Sequence, residues 1–260
     1  MLASYPSLIN KTVFISGGSS GLGAEMVKCF AAQGARVAFC GTKPQGGDAL
    51  MAELTQAGHT APYYEACDVR DIPALQALLT RVAQRFGPIE VLVNNAGRDD
   101  RHSLDELTPD YWDNCLNLNL RHHIFATQTV ARQLKAAQLP GSIINMGSIS
   151  WMRGRPNLIG YTSSKAAISG MTRSLARELG EAGIRVNALV PGAIQTGRQA
   201  ALWRNAEEDK KFIALQCLKF RLDALHVARP TLFLASDESQ GITGQSLIVD
   251  AGLAQVSVAG

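Results

Sequence analysis

Tyr161 and Lys165 stand four residues apart in YTSSK, a spacing that puts both on one face of a helix. A free phenol, with a pKa of about 10, is a poor base at neutral pH. A neighbouring ammonium favours the phenolate and draws the group toward the range useful for proton transfer. Ser148 lies thirteen residues before Tyr161, at the end of an apolar run, where its hydroxyl could hold a reacting oxygen. Taken alone, a YxxxK pair is more often a helix-surface pair than a catalytic one. The stretch SGGSSGLG (16–23) changes that balance. Its Gly17, Gly21 and Gly23, with Ser19, Ser20 and Leu22 between them, allow a backbone turn that can approach a pyrophosphate closely. The positive N-terminus of the next helix then receives the phosphates. Together these residues describe proton transfer beside a bound dinucleotide.

Such groups must be held by elements, and the chain supplies them in alternation. TVFIS (12–16), RVAFC (36–40), PYYEACD (62–68), IEVLVNN (89–95), SIINMGS (142–148), IRVNALV (184–190) and SLIVD (246–250) read as strands. IEVLVNN is nearly all apolar, as a strand buried on both faces is. Helical patterns fill the gaps, over 21–33, about 46–57, from Asp71 and Pro73 onward, 109–137 and 159–182. Alternation at this spacing predicts βαβ units: a Rossmann-like, doubly wound parallel sheet of about seven strands in one domain spanning 1–260. The polar, helix-prone stretch 192–226 breaks the rhythm and reads as an insertion over the rim where a ligand sits. Its apolar residues suit a lid that excludes water, or an exposed helix pair with no gating role; Trp203 within it is a lid contact or an intersubunit anchor.

Composition narrows the class. The 260 residues carry 25 basic and 22 acidic side chains, a balance too even, with no basic run, to argue for nucleic acid. Five scattered cysteines without a CxxC pair argue against zinc and a disulfide framework and fit a reducing compartment. The five histidines form no ligand set, so no metal is expected. No apolar run approaches the ~18–20 residues that cross a bilayer, and MLASYPSLINK lacks the pattern of a signal peptide, so a cytoplasmic location is expected. An acid at the end of the second strand would bind the adenosine ribose 2′-hydroxyl and repel a 2′-phosphate. Gly41 stands there instead, followed by Thr42 and Lys43, which favours NADP over NAD, although Lys43 suits a solvated turn equally. Asp68 and Val69, after the third strand, fall where an adenine contact belongs.

SGGSSGLG, Asp68, NNAG (94–97), Asn119, Ser148, YTSSK (161–165) and PG (191–192), in that order, resemble the short-chain dehydrogenase/reductase family over essentially the whole chain. The resemblance implies hydride transfer with a nicotinamide cofactor. It makes Tyr161 the general acid/base, Lys165 the residue that lowers its pKa and holds the nicotinamide ribose, and Ser148 the anchor of the substrate oxygen. Asn119 becomes the holder of a helix kink and a proton-relay water. Further cofactor contacts fall on Asn95, Ala96, Gly97, Pro191, Gly192, Ile194 and Thr196. A homotetramer is implied too, with the 109–137 and 159–182 helices at an interface. Ser16 in place of the usual Thr and Ala251 in place of Gly in VDAG depart slightly from the pattern. NNAGRDDRH, YWDNCLNLNLRH, NMGSISW, the TGRQ after VPG and LQCLKFR are similar, more narrowly, to the aldose (D-xylose) 1-dehydrogenases of the family.

That likeness implies oxidation of an aldose C1 hydroxyl, pentose or hexose, to a lactone. Asp99 then supplies an acceptor for the sugar, beside Ser148 and Tyr161, while Asp100 pairs with Arg101 or also faces the ligand. Trp151 stacks on the ring or anchors its own loop; Arg153, Asn157 and Gln199 reach hydroxyls. The enzymatic alternative is reduction of another carbonyl, such as a ketoacyl thioester or a polyol-derived ketone. A dinucleotide-sensing regulator on the same fold would show a decayed acid/base set, whereas Asn119, Ser148, Tyr161 and Lys165 are all present.

Overall fold

Strand β1 (Thr12–Ile15) alternates its side chains between two hydrophobic layers. Val13 and Ile15 enter one layer with Met26, Val27 and Phe30 of α1 (Gly21–Ala32), while Phe14 enters the other with Leu75, Leu78 and Leu79 of α3 (Ile72–Phe86). Helices α1, α2 (Asp48–Gln56) and α8 (Ala224–Ala235) cover the first face. Helices α3, α5 (His122–Ala137) and α6 (Ile159–Leu179) cover the second. Both faces of the sheet are thus buried, each large apolar side chain contributing roughly 1.5–3 kcal/mol. This computed structural model describes residues 3–195 and 206–255; Thr196, Gln199 and Trp203 lie outside the described residues.

The seven strands pair in parallel in the order β3-β2-β1-β4-β5-β6-β7, with β2 at Arg36–Gly41, β3 at Tyr63–Ala66, β4 at Val91–Asn94, β5 at Gly141–Met146, β6 at Ile184–Pro191 and β7 at Ser246–Val249. The chain runs outward from β1 to β3, then returns to place β4 on the other side of β1. A crevice opens at that reversal, outside the carboxyl ends of β1 and β4. The expected doubly wound sheet is therefore present. Asp71 caps α3 by accepting the Ala74 N–H at 3.0 Å, with Pro73 in the first turn, as those residue types predict.

Over 109–137, where helices and a kink held by Asn119 are expected, α4 (Pro109–Leu116) passes through a π-helical turn, Asn117–Arg121, into α5. Single π turns often occur at functional sites, and here the wide turn has side-chain partners of its own. Asn119 Nδ2 donates to the Cys115 carbonyl at 3.0 Å, and Asn119 Oδ1 accepts the Arg98 N–H at 2.8 Å. Hydrophobic periodicity registers which face is buried, not the one-residue shift that such bonds stabilise. Within the 192–226 stretch the described part holds α7 (Ala206–Leu215) and a parallel bridge from Gln195 to Asp223, the residue that caps α8.

Candidate active site

A cavity of about 880 Å³ lies at the carboxyl ends of the central strands. Its first wall is the glycine loop. Gly17 takes a φ of 66°, and a Cβ on Gly23 would come within 2.0 Å of the Gly17 carbonyl oxygen, so both positions demand glycine. Helix α1 begins after Ser20 without a side-chain cap, which leaves its first amides for a ligand's oxyanion. Ser16 Oγ accepts the N–H groups of Asn95 and Ala96 at 3.0 and 3.1 Å, and Asn95 Nδ2 donates back to the carbonyls of Ser16 and Gly17. The serine that replaces threonine thus ties the two loops together. A glycine cradle with open helix amides fits the pyrophosphate of a nicotinamide dinucleotide.

At the adenosine end Gly41, Thr42, Lys43, Asp68, Val69 and Arg70 line the cavity. A Cβ on Gly41 would meet Ser19 Oγ at 2.4 Å, so the serine fills the space that an acidic side chain would need. The Asp68 carboxylate is taken by Arg70, whose Nε reaches both oxygens at 3.0 Å and whose Nη1 donates to Asn114 at 2.8 Å. That guanidinium holds the Asp68 carboxyl below the usual carboxylate range. Arg70 was not singled out by the sequence; its position two residues past Asp68 is the only signal it leaves.

Ser148, Tyr161 and Lys165 converge on the floor. Lys165 is 3% exposed and donates to the Met146 carbonyl at 2.7 Å, and burial lowers its pKa to about 8. Tyr161 departs from expectation. Its pKa is raised to about 12 by burial, with the charges of Asp99 and Cys115 adding to the rise and the Ser148 hydroxyl opposing it. The Lys165 ammonium lies 5.7 Å from the phenol ring centroid and spends a proton on Met146, so desolvation outweighs its pull. Ser148 Oγ is oriented by Ser150, through an Oγ–Oγ bond of 2.9 Å and the Ser150 N–H at 3.2 Å.

Asn119, 1% exposed, sits behind this floor through the two bonds already described. One turn on, His122 Nε2 bonds the Ala96 carbonyl at 3.1 Å, and burial lowers the imidazole's pKa to about 3. A carbonyl only accepts, so Nε2 carries the proton and the ring is neutral. Asn119 and His122 therefore grip the chain at Arg98 and Ala96, either side of Gly97. His122 is a residue that a search for metal-ligand spacing passes over. Its signal was the i, i+3 relation to Asn119. Asn95, Ala96, Gly97, Pro191, Gly192 and Ile194 all line the cavity.

The substrate end is formed by Arg98, Asp99 and Arg101 from the β4 exit, Ser150, Arg153, Arg155 and Leu158 from the β5 exit, and Phe212 of α7 with Leu253. Asp99 lines the cavity close enough to act on Tyr161. Asp100 does not line it: Arg98 grips its carboxylate at 2.6 and 2.8 Å, and its carbonyl accepts the Tyr111 hydroxyl at 3.1 Å. The next ties are the His102 N–H to the Asn157 carbonyl at 3.0 Å and the Arg98 N–H to Asn119, so the strap 98–102 is fixed at both ends. Two candidates fall elsewhere. Asn157, exposed at a φ of 61°, offers the strap its backbone, and Trp151 is half-buried within its own turn; neither is among the residues lining the cavity. The turn after β5 is closed by Arg153 N–H to Ile149 O and Arg155 N–H to Ser150 O, and both arginines are among the residues lining the cavity. Among the described residues no group of three or more His, Cys, Asp or Glu side chains could hold a metal ion.

Residues 17–254 match the family described as "Enoyl-(Acyl carrier protein) reductase". The chain is 46% identical to the D-xylose 1-dehydrogenase of Caulobacter vibrioides, over 96% of this chain and 98% of that one. It is 41% identical to a Rhizobium meliloti protein named "Probable galactose dehydrogenase", over 96% of this chain and 97% of the other. The 3-oxoacyl-[acyl-carrier protein] reductase of Brucella melitensis superposes with a TM-score of 0.88 at 30% identity, covering 96% of this chain and 93% of that one. With the glycine cradle, the Ser148–Tyr161–Lys165 floor and these full-length likenesses in agreement, the chain belongs to the short-chain dehydrogenase/reductase family of oxidoreductases.

Proposed function

We propose that this protein oxidises the C1 hydroxyl of an aldose, pentose or hexose, to the aldonolactone, using NADP in preference to NAD. The observation that carries the reading is Asp99, an acceptor at the substrate end whose charge reaches Tyr161, in a chain 46% identical to a D-xylose 1-dehydrogenase. A nicotinamide dinucleotide, held by the glycine loop and the first amides of α1, would supply the acceptor for the C1 hydride. Tyr161 takes the proton of the C1 hydroxyl as the carbon–oxygen double bond forms. Ser148, with its oxygen positioned by Ser150, donates to the same substrate oxygen. Lys165 places positive charge beneath the phenol and favours its ionised form. Asn119 positions the 98–102 strap that presents Asp99. NADP is supported by Thr42 and Lys43 in the cavity wall and by the Ser19 hydroxyl where an acid at Gly41 would go.

Three coarser features go with this reading. Residues 192–226 act as a lid, since Phe212 of α7 already forms part of the cavity wall. The protein is a homotetramer, supported by Ile124 of α5 and Ile159 of α6, which are 42% and 43% exposed. It is cytoplasmic, in keeping with five unpaired cysteines; among the described residues no helix is long and apolar enough to cross a membrane. Reduction of a ketoacyl thioester is the second reading, favoured by 34% identity to a 3-oxoacyl-[acyl-carrier-protein] reductase of Chlamydia trachomatis. Turnover of D-xylose, L-arabinose, D-galactose and D-glucose with NADP and NAD, followed at the nicotinamide absorbance, tests the proposal. A rate above background with at least one aldose, faster with NADP, is expected. No rate with any of them overturns the sugar assignment.

A further inference from the structure

We infer that His122 is a positioning residue for the cofactor: by holding the Ala96 carbonyl it turns the Gly97 N–H into the cavity, as a donor to an oxygen of the nicotinamide ribose. This rests on the dinucleotide part of the reading above and is independent of which alcohol is oxidised. His122 Nε2 donates to the Ala96 carbonyl at 3.1 Å, and the imidazole is wholly buried, so that carbonyl faces the protein interior. In a planar trans peptide the C=O and the N–H of the next residue point in opposite directions. The Gly97 N–H therefore points away from His122. Gly97 is exposed and lines the cavity, and among the described residues its N–H has no acceptor. The amides around it are taken: Ser16 Oγ accepts those of Asn95 and Ala96, and Asn119 Oδ1 accepts that of Arg98.

The place suits a ribose. A Cβ on Gly17 of the glycine loop would lie 3.0 Å from Ala96 Cα, and one on Gly97 would lie 3.5 Å from Lys165 Nζ. The Ala96–Gly97 peptide thus bridges the phosphate cradle and the proton floor, the span between a dinucleotide's pyrophosphate and its nicotinamide. A flip of that peptide would replace the donor by a carbonyl oxygen. Glycine permits such a flip at little steric cost. The bond from His122 is what opposes it.

Binding tests the inference without turnover. By calorimetry, the tighter of NADPH and NADH is compared with the adenosine fragment that lacks the nicotinamide ribose, adenosine 2′,5′-bisphosphate or ADP. His122→Leu, which removes the donor, should raise Kd for the dinucleotide roughly 3–10-fold, the loss of one hydrogen bond, and leave the fragment's Kd unmoved. His122→Gln, which keeps a donor, should restore most of the affinity. In the unsubstituted protein, labelled with 15N-glycine, the Gly97 amide should exchange freely with deuterium until the dinucleotide protects it, and the fragment should not protect it. That arm stands even if His122→Leu does not fold. A fragment weakened as much as the dinucleotide, a dinucleotide bound equally well by His122→Leu, or a Gly97 amide left unprotected overturns the inference. No binding of either dinucleotide overturns the cofactor reading as well.

Discussion

The floor and the rim of the cavity are built in opposite ways. On the floor, Ser148, Lys165 and Asn119 are almost wholly buried, and each is tied by a hydrogen bond within its own neighbourhood. The rim carries Arg98, Asp99, Arg101, Arg153 and Arg155, partly or fully exposed side chains on segments that leave the ends of β4 and β5. Groups that move a proton need positions held to a fraction of an ångström, which buried backbone partners supply. Groups that choose a ligand need charge and reach, which long side chains on loops supply. Damage to the floor should therefore abolish chemistry, and damage to the rim should redirect it.

The largest effect belongs to the floor. Tyr161→Phe should lower kcat by about 10²–10⁴-fold, the range ascribed to a positioned acid/base group. Cofactor affinity, read by quenching of protein fluorescence on NADPH addition, should be retained. An unchanged kcat removes Tyr161 from proton transfer.

The next effect is on stability, and it also belongs beneath the floor. The neutral His122 has a folded pKa of about 3, well below the ordinary value near 6.5, because burial penalises its charge. Between those values the unfolded chain binds the proton that the folded one refuses. Stability is thus flat above pH 6.5 and falls as pH drops toward 3, by about 1.4 kcal/mol per unit once the unfolded imidazole is fully protonated. His123, whose pKa burial also lowers, steepens the fall. Urea melts at pH 7, 6 and 5 check this. His122→Gln, which keeps a donor for Ala96, should flatten the dependence.

At the rim, Asp99→Asn should reduce kcat/KM for the sugar by roughly 10–100-fold, the equivalent of losing a hydrogen bond to a charged group. KM for the cofactor should not move. The same substitution removes a negative charge that holds the Tyr161 pKa up, so the rise of kcat with pH should shift to lower pH. If KM for sugar is unchanged and the pH profile stays put, Asp99 is a surface carboxylate. The smallest effect lies away from the cavity. Ala251 sits at a φ of 56°, the left-handed region where the family pattern has glycine. Ala251→Gly should raise unfolding free energy by up to about 1 kcal/mol, the relief of left-handed strain less the extra entropy of the unfolded chain. Turnover should be unaltered.

The sequence made the floor far more legible than the rim. SGGSSGLG, NNAG and YTSSK announce themselves because short backbone motifs tolerate few alternatives: a Cβ at Gly23 would strike the Gly17 carbonyl. The sheet was readable for a related reason, since buried parallel strands such as VLVN carry apolar side chains on both faces. Three things were not readable. The kink at Asn119 comes with the family resemblance, but its π-helical form depends on side-chain bonds from Asn119 to Arg98 and Cys115, which no periodicity records. The direction of the Tyr161 shift depends on the balance of burial against an ammonium 5.7 Å from its ring centroid, a distance that the spacing YxxxK does not contain. Trp151 and Asn157 sit beside arginines that do line the cavity, and which residues of one turn face inward is not written in their types.

The central claim is that this floor oxidises C1 of an aldose. It is tested most directly by incubating the protein with NADP and D-galactose or D-xylose, and analysing the sugar product by NMR as the nicotinamide absorbance rises. The account predicts the aldonolactone, or the aldonate from its hydrolysis, in equal amount to the reduced cofactor. Reduced cofactor with a product oxidised at any carbon other than C1, or no reduction with any aldose while a ketoacyl thioester is consumed with NADPH, would contradict it.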